Sequence, residues 1–222
     1  EPPFSRDGNN YVVIDTAGLK KRGKIYESID KYAALRALSA IDRSEIVLFV
    51  IDAEKGIIEQ DKHVVGYAVD RKKAIIIVVN KWDTIKKDQN TQKEYEKKIR
   101  KEFQFLSYAP IIFVSALTKS KVSNIFTYIE KVHKAYDTHI PTSLLNDVLQ
   151  DAQMMNEAPE FTHGRLKIYF ANQANSCPPT FVLFVNKPKY AHFSYMRYLE
   201  NRLRDSFNLD GTPIEIVLRE RV

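Results

Sequence analysis

The sequence has one cysteine, Cys177, in 222 residues, which excludes an internal disulfide and fits a reducing compartment. No apolar run approaches the roughly 18–20 residues that cross a bilayer. The apolar runs near 46–51 and 74–79 have strand length instead. No signal-peptide pattern is visible at the start, whose first residue is Glu1 and not Met, so a piece of a longer protein is expected. The histidines at 63, 133, 139, 163 and 192 show no metal-ligand spacing. A G-x-S-x-G elbow for hydrolase chemistry is missing as well, as are internal repeats and low-complexity tracts. These absences leave a cytoplasmic protein without membrane segments as the expectation.

What is present is a chain with 44% hydrophobic residues, enough for a sizeable core in one or two domains. Its net charge of +6 is unevenly placed. Residues 1–139 hold 25 Lys and Arg against 19 Asp and Glu, whereas residues 140–222 hold 9 of each. That excess is either a phosphate-binding bias or scattered solvated lysines. Four β-branched runs, "YVVID" (11–15), "IVLFVID" (46–52), "AIIIVVN" (74–80) and "PIIFVS" (110–115), read as central parallel strands apolar on both faces. Between them, 28–41, 59–70 and 91–106 carry apolar residues at helical spacing, and a helix from about Val122 to Tyr136 closes the unit. Strand alternating with helix predicts an open α/β sheet.

Pro141 followed by Thr142 and Ser143 restarts the chain. A helix with Leu144, Leu145, Val148, Leu149 and Ala152 on one face comes next, then strands at 165–172 and 180–186. A helix striped by Met196, Leu199, Leu203 and Phe207 and a last strand at 212–218 complete a small α+β domain over 140–222, with 1–139 as the first domain. Tyr169, Phe170, Phe181 and Phe184 are expected in its core.

Open α/β sheets bind ligands beyond the C-terminal ends of their strands, and three predicted strands end there in Asp15, Asn80 and Ser115. In "NKWD" (Asn80, Lys81, Trp82, Asp83) the Asp83 carboxylate can accept from the ring N–H and exocyclic amine of guanine. Adenine lacks that donor pair and would leave the carboxylate unpaired. Asn80 would brace the loop and touch the base edge, and the Lys81 stem would cover the base face. "SAL" (Ser115, Ala116, Leu117) follows the next strand, where a backbone N–H near Ala116 could reach the guanine carbonyl. "DTAG" (Asp15, Thr16, Ala17, Gly18) with Leu19 then reads as a γ-phosphate sensor. Asp15 would hold Mg²⁺ through a water, and the Gly18 N–H would approach the terminal phosphate. The basic loop Lys20, Lys21, Arg22 and Lys24 is either a contact for RNA or a neighbouring domain, or a solvated loop.

In this order the motifs match the translation-factor-related GTPases. The wider text "YESIDKYAALRALSAIDRSEIVLFVIDAEKGIIEQD", with "NKWD", "FQFLSYAPIIFVSAL", "PPTFVLFVN", "HFSYMRYLENRLRD" and "GTPIEI", closely resembles the EngA (Der) family. The resemblance implies a P-loop NTPase-type G domain, the second of two in tandem, followed by a KH-like domain. It implies a GTPase acting in assembly of the large ribosomal subunit, with GTP/GDP and Mg²⁺ as ligands and, by the same resemblance, K⁺. Ribosomal RNA, ribosomal proteins and the first G domain of the same protein would be its partners, and a monomer is expected. The mechanism it suggests is a switch in which GTP orders residues near 15–30 and alters packing on the C-terminal domain.

Two departures qualify the resemblance. The phosphate-cradling G-x-x-x-x-G-K-[ST] loop is absent, since the only Gly-Lys pair, Gly23-Lys24, follows the sensor and precedes Ile25. That loop should precede Glu1, and residues 1–222 alone are expected to be inactive. Leu19 stands where many relatives place a water-orienting Gln, and no side chain here is a convincing general base. In the second domain the only glycines, Gly164 and Gly211, cannot form the G-x-x-G loop of RNA-clamping KH domains. Arg197, Asn201 and Arg204 share a helix face and either meet RNA phosphate or stay solvated. The alternative function is a non-enzymatic ribosome-docking module with a vestigial nucleotide site.

Overall fold

The computed structural model describes residues 3–14 and 27–221, with side chains from Leu35 onward in the second span. Strands β1 (Pro3–Arg6) and β2 (Asn9–Val12) form an antiparallel hairpin with Arg6 opposite Asn9. Its turn residues Asp7 and Gly8 have φ of 50° and 82°, the left-handed pair that a two-residue hairpin turn requires. Helix α1 (Glu27–Arg43) leads to β3 (Ile46–Asp52), α2 (Glu59–Asp70), β4 (Ala74–Asn80), α3 (Thr91–Glu102), β5 (Ile111–Phe113) and α4 (Asn124–Tyr136). β3, β4 and β5 pair in parallel, in that order. β4 is the inner strand, and Ala74 through Val79 are all buried. Its alternate residues face two separate clusters. Ile75, Ile77 and Val79 meet Val65, Ile99 and Phe103, while Ala74, Ile76 and Val78 meet Val132 and Tyr136.

Two strand expectations are corrected. "YVVID" is not a buried parallel strand: β2 ends at Val12, and Val12 and Val13 are each 59% exposed. The Asp7-Gly8 turn folds this stretch back on its own neighbour, and Phe4 and Tyr11 pack on Phe126 of α4 rather than in the sheet. β3, in turn, is an edge strand with Phe49 and Ile51 buried and Leu48 and Val50 exposed, so it is apolar on both faces but covered on one.

The second unit runs α5 (Thr142–Met155), β6 (Glu160–Phe161), β7 (Gly164–Arg165), β8 (Ile168–Ser176), β9 (Pro179–Val185), α6 (Phe193–Phe207) and β10 (Glu215–Glu220). β9 lies between β8, which is antiparallel to it, and β10, which is parallel. Leu145 and Leu149 of α5 and Leu199 and Leu203 of α6 bury against Phe181 and Leu183. The short hairpin of β6 and β7 was not foreseen. Tyr169 and Phe170 depart from the core expectation, being 43% and 46% exposed. Beside a bulge in β8, Tyr169 takes the Lys167 ammonium and Arg221 guanidinium on its ring.

The units meet along the start of β4. The Ile75 N–H donates to the Gly211 carbonyl (2.9 Å), and the Gly211 N–H donates to the Tyr108 carbonyl (2.8 Å). The loop between α6 and β10 therefore continues the line of β5 along β4. Arg204 stacks over Tyr108 at 4.6 Å, and Lys131 pairs with Asp210 at 2.7 Å.

Candidate functional site

The candidate site is built where β4 and β5 end. β4 is held in register until Asn80, which lies opposite Asp52, the last residue of β3. There the chain turns sharply: Lys81 adopts the left-handed conformation (φ 60°), and Trp82–Thr84 form one 3₁₀ turn. The turn is tied on three sides. The Asn80 carbonyl accepts from the Ala53 N–H at 2.9 Å, the Trp82 N–H donates to the Val114 carbonyl at 3.0 Å, and Thr84 Oγ1 donates to the Lys81 carbonyl at 2.9 Å.

The side chain of Asn80 performs the bracing expected of it. Its Oδ1 accepts from the Ala116 N–H at 3.0 Å and so joins the 80–83 loop to the 115–117 loop. One expectation shifts in consequence. The Ala116 N–H already has an acceptor, and the neighbouring Leu117 N–H is the one that meets none among the described residues. Ser115 is 2% exposed, and its Oγ accepts from the Thr118 N–H at 3.1 Å, fixing the second loop. Leu117, 84% exposed, projects from it.

Trp82 does not face the site. It is buried beneath the loop against Phe113 and Tyr95, with ring centroids 4.4 and 5.4 Å away. The Tyr95 hydroxyl donates to the Ala53 carbonyl at 2.9 Å, so α3 and the loop after β3 clasp the same ring. Asp83, by contrast, is exposed, and its carboxylate forms no hydrogen bond or ion pair among the described residues. The Asp83 carboxylate is thus an acceptor left open beside a fixed backbone turn.

Asp52 is the site residue that sequence reasoning missed. Its Oδ2 meets Lys81 Nζ at 2.7 Å, and its Oδ1 accepts from the N–H groups of Glu54 and Lys55 at 3.0 and 3.3 Å. The Lys81 ammonium, followed by the two backbone donors, holds the Asp52 carboxyl below the usual carboxylate range despite partial burial. Asp52 in return raises the Lys81 ammonium. Its position at the C-terminal edge, one strand from Asn80, was the available signal.

Asp15, Thr16, Ala17, Gly18 and Leu19 lie outside the described residues, as does the basic stretch from Lys20 to Lys24. Among the described residues, no three His, Cys, Asp or Glu side chains form a metal-binding group. No described helix is long and apolar enough to cross a membrane. Far from the site, Arg197 and Asn201 are exposed on α6, but Arg204 is not available to phosphate. Its guanidinium donates to the carbonyls of Leu209 and Thr212 (3.0 and 2.8 Å) and to Glu200 Oε1 (2.8 and 3.0 Å).

Comparison with known proteins adds to this geometry. Residues 4–142 match the family model of the elongation factor Tu GTP binding domain. Residues 139–219 match that of the KH-domain-like of EngA bacterial GTPase enzymes, C-terminal. GTPase Der of Bacillus thuringiensis (strain Al Hakam) and of Bacillus cereus (strain B4264) are each 53% identical over 221 residues, covering 100% of this chain and 51% of each relative. The chain thus spans about half the length of the curated relatives it matches. A crystal structure of an Aquifex aeolicus Era variant bound to GDP and AlF4⁻ aligns with a TM-score of 0.46 and 19% identity, over 93% of this chain and 74% of that one.

Proposed function

The chain belongs to the EngA (Der) family of GTPases, and on that premise we propose that it binds and hydrolyses GTP as a switch in assembly of the large ribosomal subunit. The observation that carries the nucleotide reading is the junction of the two loops. Asn80 Oδ1 and the Ala116 N–H bind at 3.0 Å beside the free Asp83 carboxylate and the unpaired Leu117 N–H. Asp83 would accept from adjacent ring N–H and amine groups of a base, and the Leu117 N–H would donate to its carbonyl. Guanine is that base. Asp15 would hold Mg²⁺ through a water and Gly18 would approach the terminal phosphate, where the ion's charge offsets that of the phosphates. The large-subunit role and its ribosomal RNA and protein partners rest on the family.

The test is competition binding of GTP, ATP and xanthosine triphosphate to the chain extended at its N-terminus by a phosphate-binding loop. Asp83→Asn places an amide against two donors, and GTP affinity should fall by at least about 2 kcal/mol, roughly thirtyfold. Xanthine carries a carbonyl where guanine has its amine, so the variant should prefer the xanthosine nucleotide. A wild type with no guanine preference, or a variant that keeps it, would leave the 80–83 loop a strand-end turn and favour the docking-module reading.

A further inference from the structure

An RNA-binding protein needs cations that are not already neutralised, because releasing counterions from phosphates supplies most of the sequence-independent affinity. The second unit is a poor source, with 9 basic and 9 acidic residues and no G-x-x-G clamp. Arg204, its best-placed cation for α6, is tied into the contact between units. The net positive excess lies in the first unit.

Half of the molecule's excess charge lies on one short stretch there. Residues 86–104 carry seven Lys and Arg against four Asp and Glu. On α3, Lys93, Lys97 and Lys101 follow one another at intervals of four, so they form a stripe along one face with steps of roughly 6 Å. All three are exposed, and none forms an ion pair among the described residues. The helix's acids are partly engaged: Glu102 pairs with Lys62 at 2.9 Å, and Glu96 accepts from Gln92 at 3.0 Å. With Glu96, Arg100 and Gln104, the three lysines line an open groove. Arg100 is held to the carbonyls of Leu106 and Ala109, so it adds field rather than a free donor.

We propose that this face of α3 is a docking surface for the phosphodiester backbone of structured RNA. The lysine steps are comparable with the separation of successive phosphates on one strand. An anionic membrane fits less well. A surface-binding helix has to insert apolar residues beside its cations, whereas Tyr95 and Ile99 of α3 face the protein core. The surface is also linked to the candidate nucleotide site, since Tyr95 of the same helix packs on Trp82. The proposal adds a surface to the ribosomal reading but does not depend on the guanine site.

The experiment uses the full 222-residue chain without nucleotide. It measures fluorescence anisotropy of a labelled RNA hairpin against salt, beside flotation with phosphatidylserine vesicles. The triple variant Lys93→Gln, Lys97→Gln, Lys101→Gln should bind the hairpin at least roughly tenfold more weakly. Its slope of log affinity against log salt should be shallower by about 2–3, one contact per lysine. Lys187→Gln with Lys189→Gln, on the second unit, should leave both unchanged. Matching thermal unfolding of all three proteins separates lost contacts from lost fold. An unchanged slope in the α3 variant, loss confined to the Lys187/Lys189 variant, or α3-dependent binding of vesicles but not RNA would each overturn the proposal. Because nucleotide is omitted, failure of the guanine reading leaves this result standing.

Discussion

Asp52 and Lys81 show how one ion pair can fix the loop that we propose reads a base. Lys81 sits at φ 60°, a conformation that costs a residue with a side chain about 1 kcal/mol or more. Its ammonium is held at 2.7 Å by a carboxylate that two backbone N–H groups also fix. Asp52→Asn should therefore release the Lys81 stem and weaken GTP binding by roughly fivefold to tenfold, a loss of 1–1.4 kcal/mol. Trp82, the one tryptophan in the chain, lies directly beneath and reports the loop by its emission. Adding Lys81→Met to Asp52→Asn should cost little more than either change alone. Strict additivity in a titration followed by Trp82 emission would show that the two side chains act separately. The pH dependence has a definite sign. The Asp52 pKa is depressed below its ordinary 3.8, so the pair's contribution is complete above that value and disappears only as pH falls through the lower folded one. Asn80, Asp83 and Ser115 were legible from their motifs. Asp52 was not, because no local spacing links it to Lys81 and only the β3–β4 register brings them together.

At the scale of elements, the edge strand β8 is closed by side chains rather than by another strand. Asn146 accepts from the Ala171 N–H and donates to its carbonyl, both at 2.8 Å, and Gln153 does the same for Ile168 at 2.8 and 3.2 Å. The two amides are seven residues apart, two turns of α5, so one helix face carries both. The bulge in β8 brings Ile168 and Ala171 to the same edge, although an odd spacing normally alternates. Asn146→Leu should lower unfolding free energy by about 2–4 kcal/mol in urea, because two buried backbone groups lose their partners. An unchanged midpoint would mean that water replaces the amide. Element order was largely readable here: continuous β-branched runs gave β3 and β4, and apolar stripes gave α5 and α6. What failed was pairing. The run at 11–15 has the composition of a buried strand, but Asp7-Gly8 just upstream is a hairpin signal that outcompetes it locally. Likewise, the apolar pattern of β3 does not reveal that Leu48 and Val50 are exposed while Phe49 and Ile51 are buried.

For the whole molecule, β4 is the shared member. Its last residue anchors the candidate base loop, and its second residue, Ile75, binds Gly211 of the other unit, about 17 Å away along the strand. A repacking of the units driven by nucleotide would have to be relayed along or around that strand. The contact is exacting at Gly211. Its φ is 75°, and a Cβ there would run into the side chain of Val132 on α4 and crowd Pro110. Around it, Thr212 is fully buried, and Arg204 stacks on Tyr108, whose hydroxyl is buried without a partner among the described residues and pushed up to about 12 by that burial. Gly211→Ala must therefore either strain the left-handed turn or lift the loop off β4, giving up the bonds to Ile75 and Tyr108. The expected loss is about 2–4 kcal/mol, from backbone strain together with a packing clash. Following urea unfolding by Trp82 emission, which reports the first unit, and by far-ultraviolet circular dichroism, which reports both, should give coincident transitions in the wild type. In Gly211→Ala they should separate, because among the described residues the two cores share no buried residue. Removing the obstructing methyls with Val132→Ala in the same chain should restore part of the coincidence while leaving the φ strain. If Gly211→Ala unfolds in one transition at the wild-type midpoint, the loop is a passive crossing. The units would then owe their coupling to the Lys131–Asp210 and Lys72–Glu215 ion pairs and to the bonds of Ser176 and Cys177 to Asp137 instead.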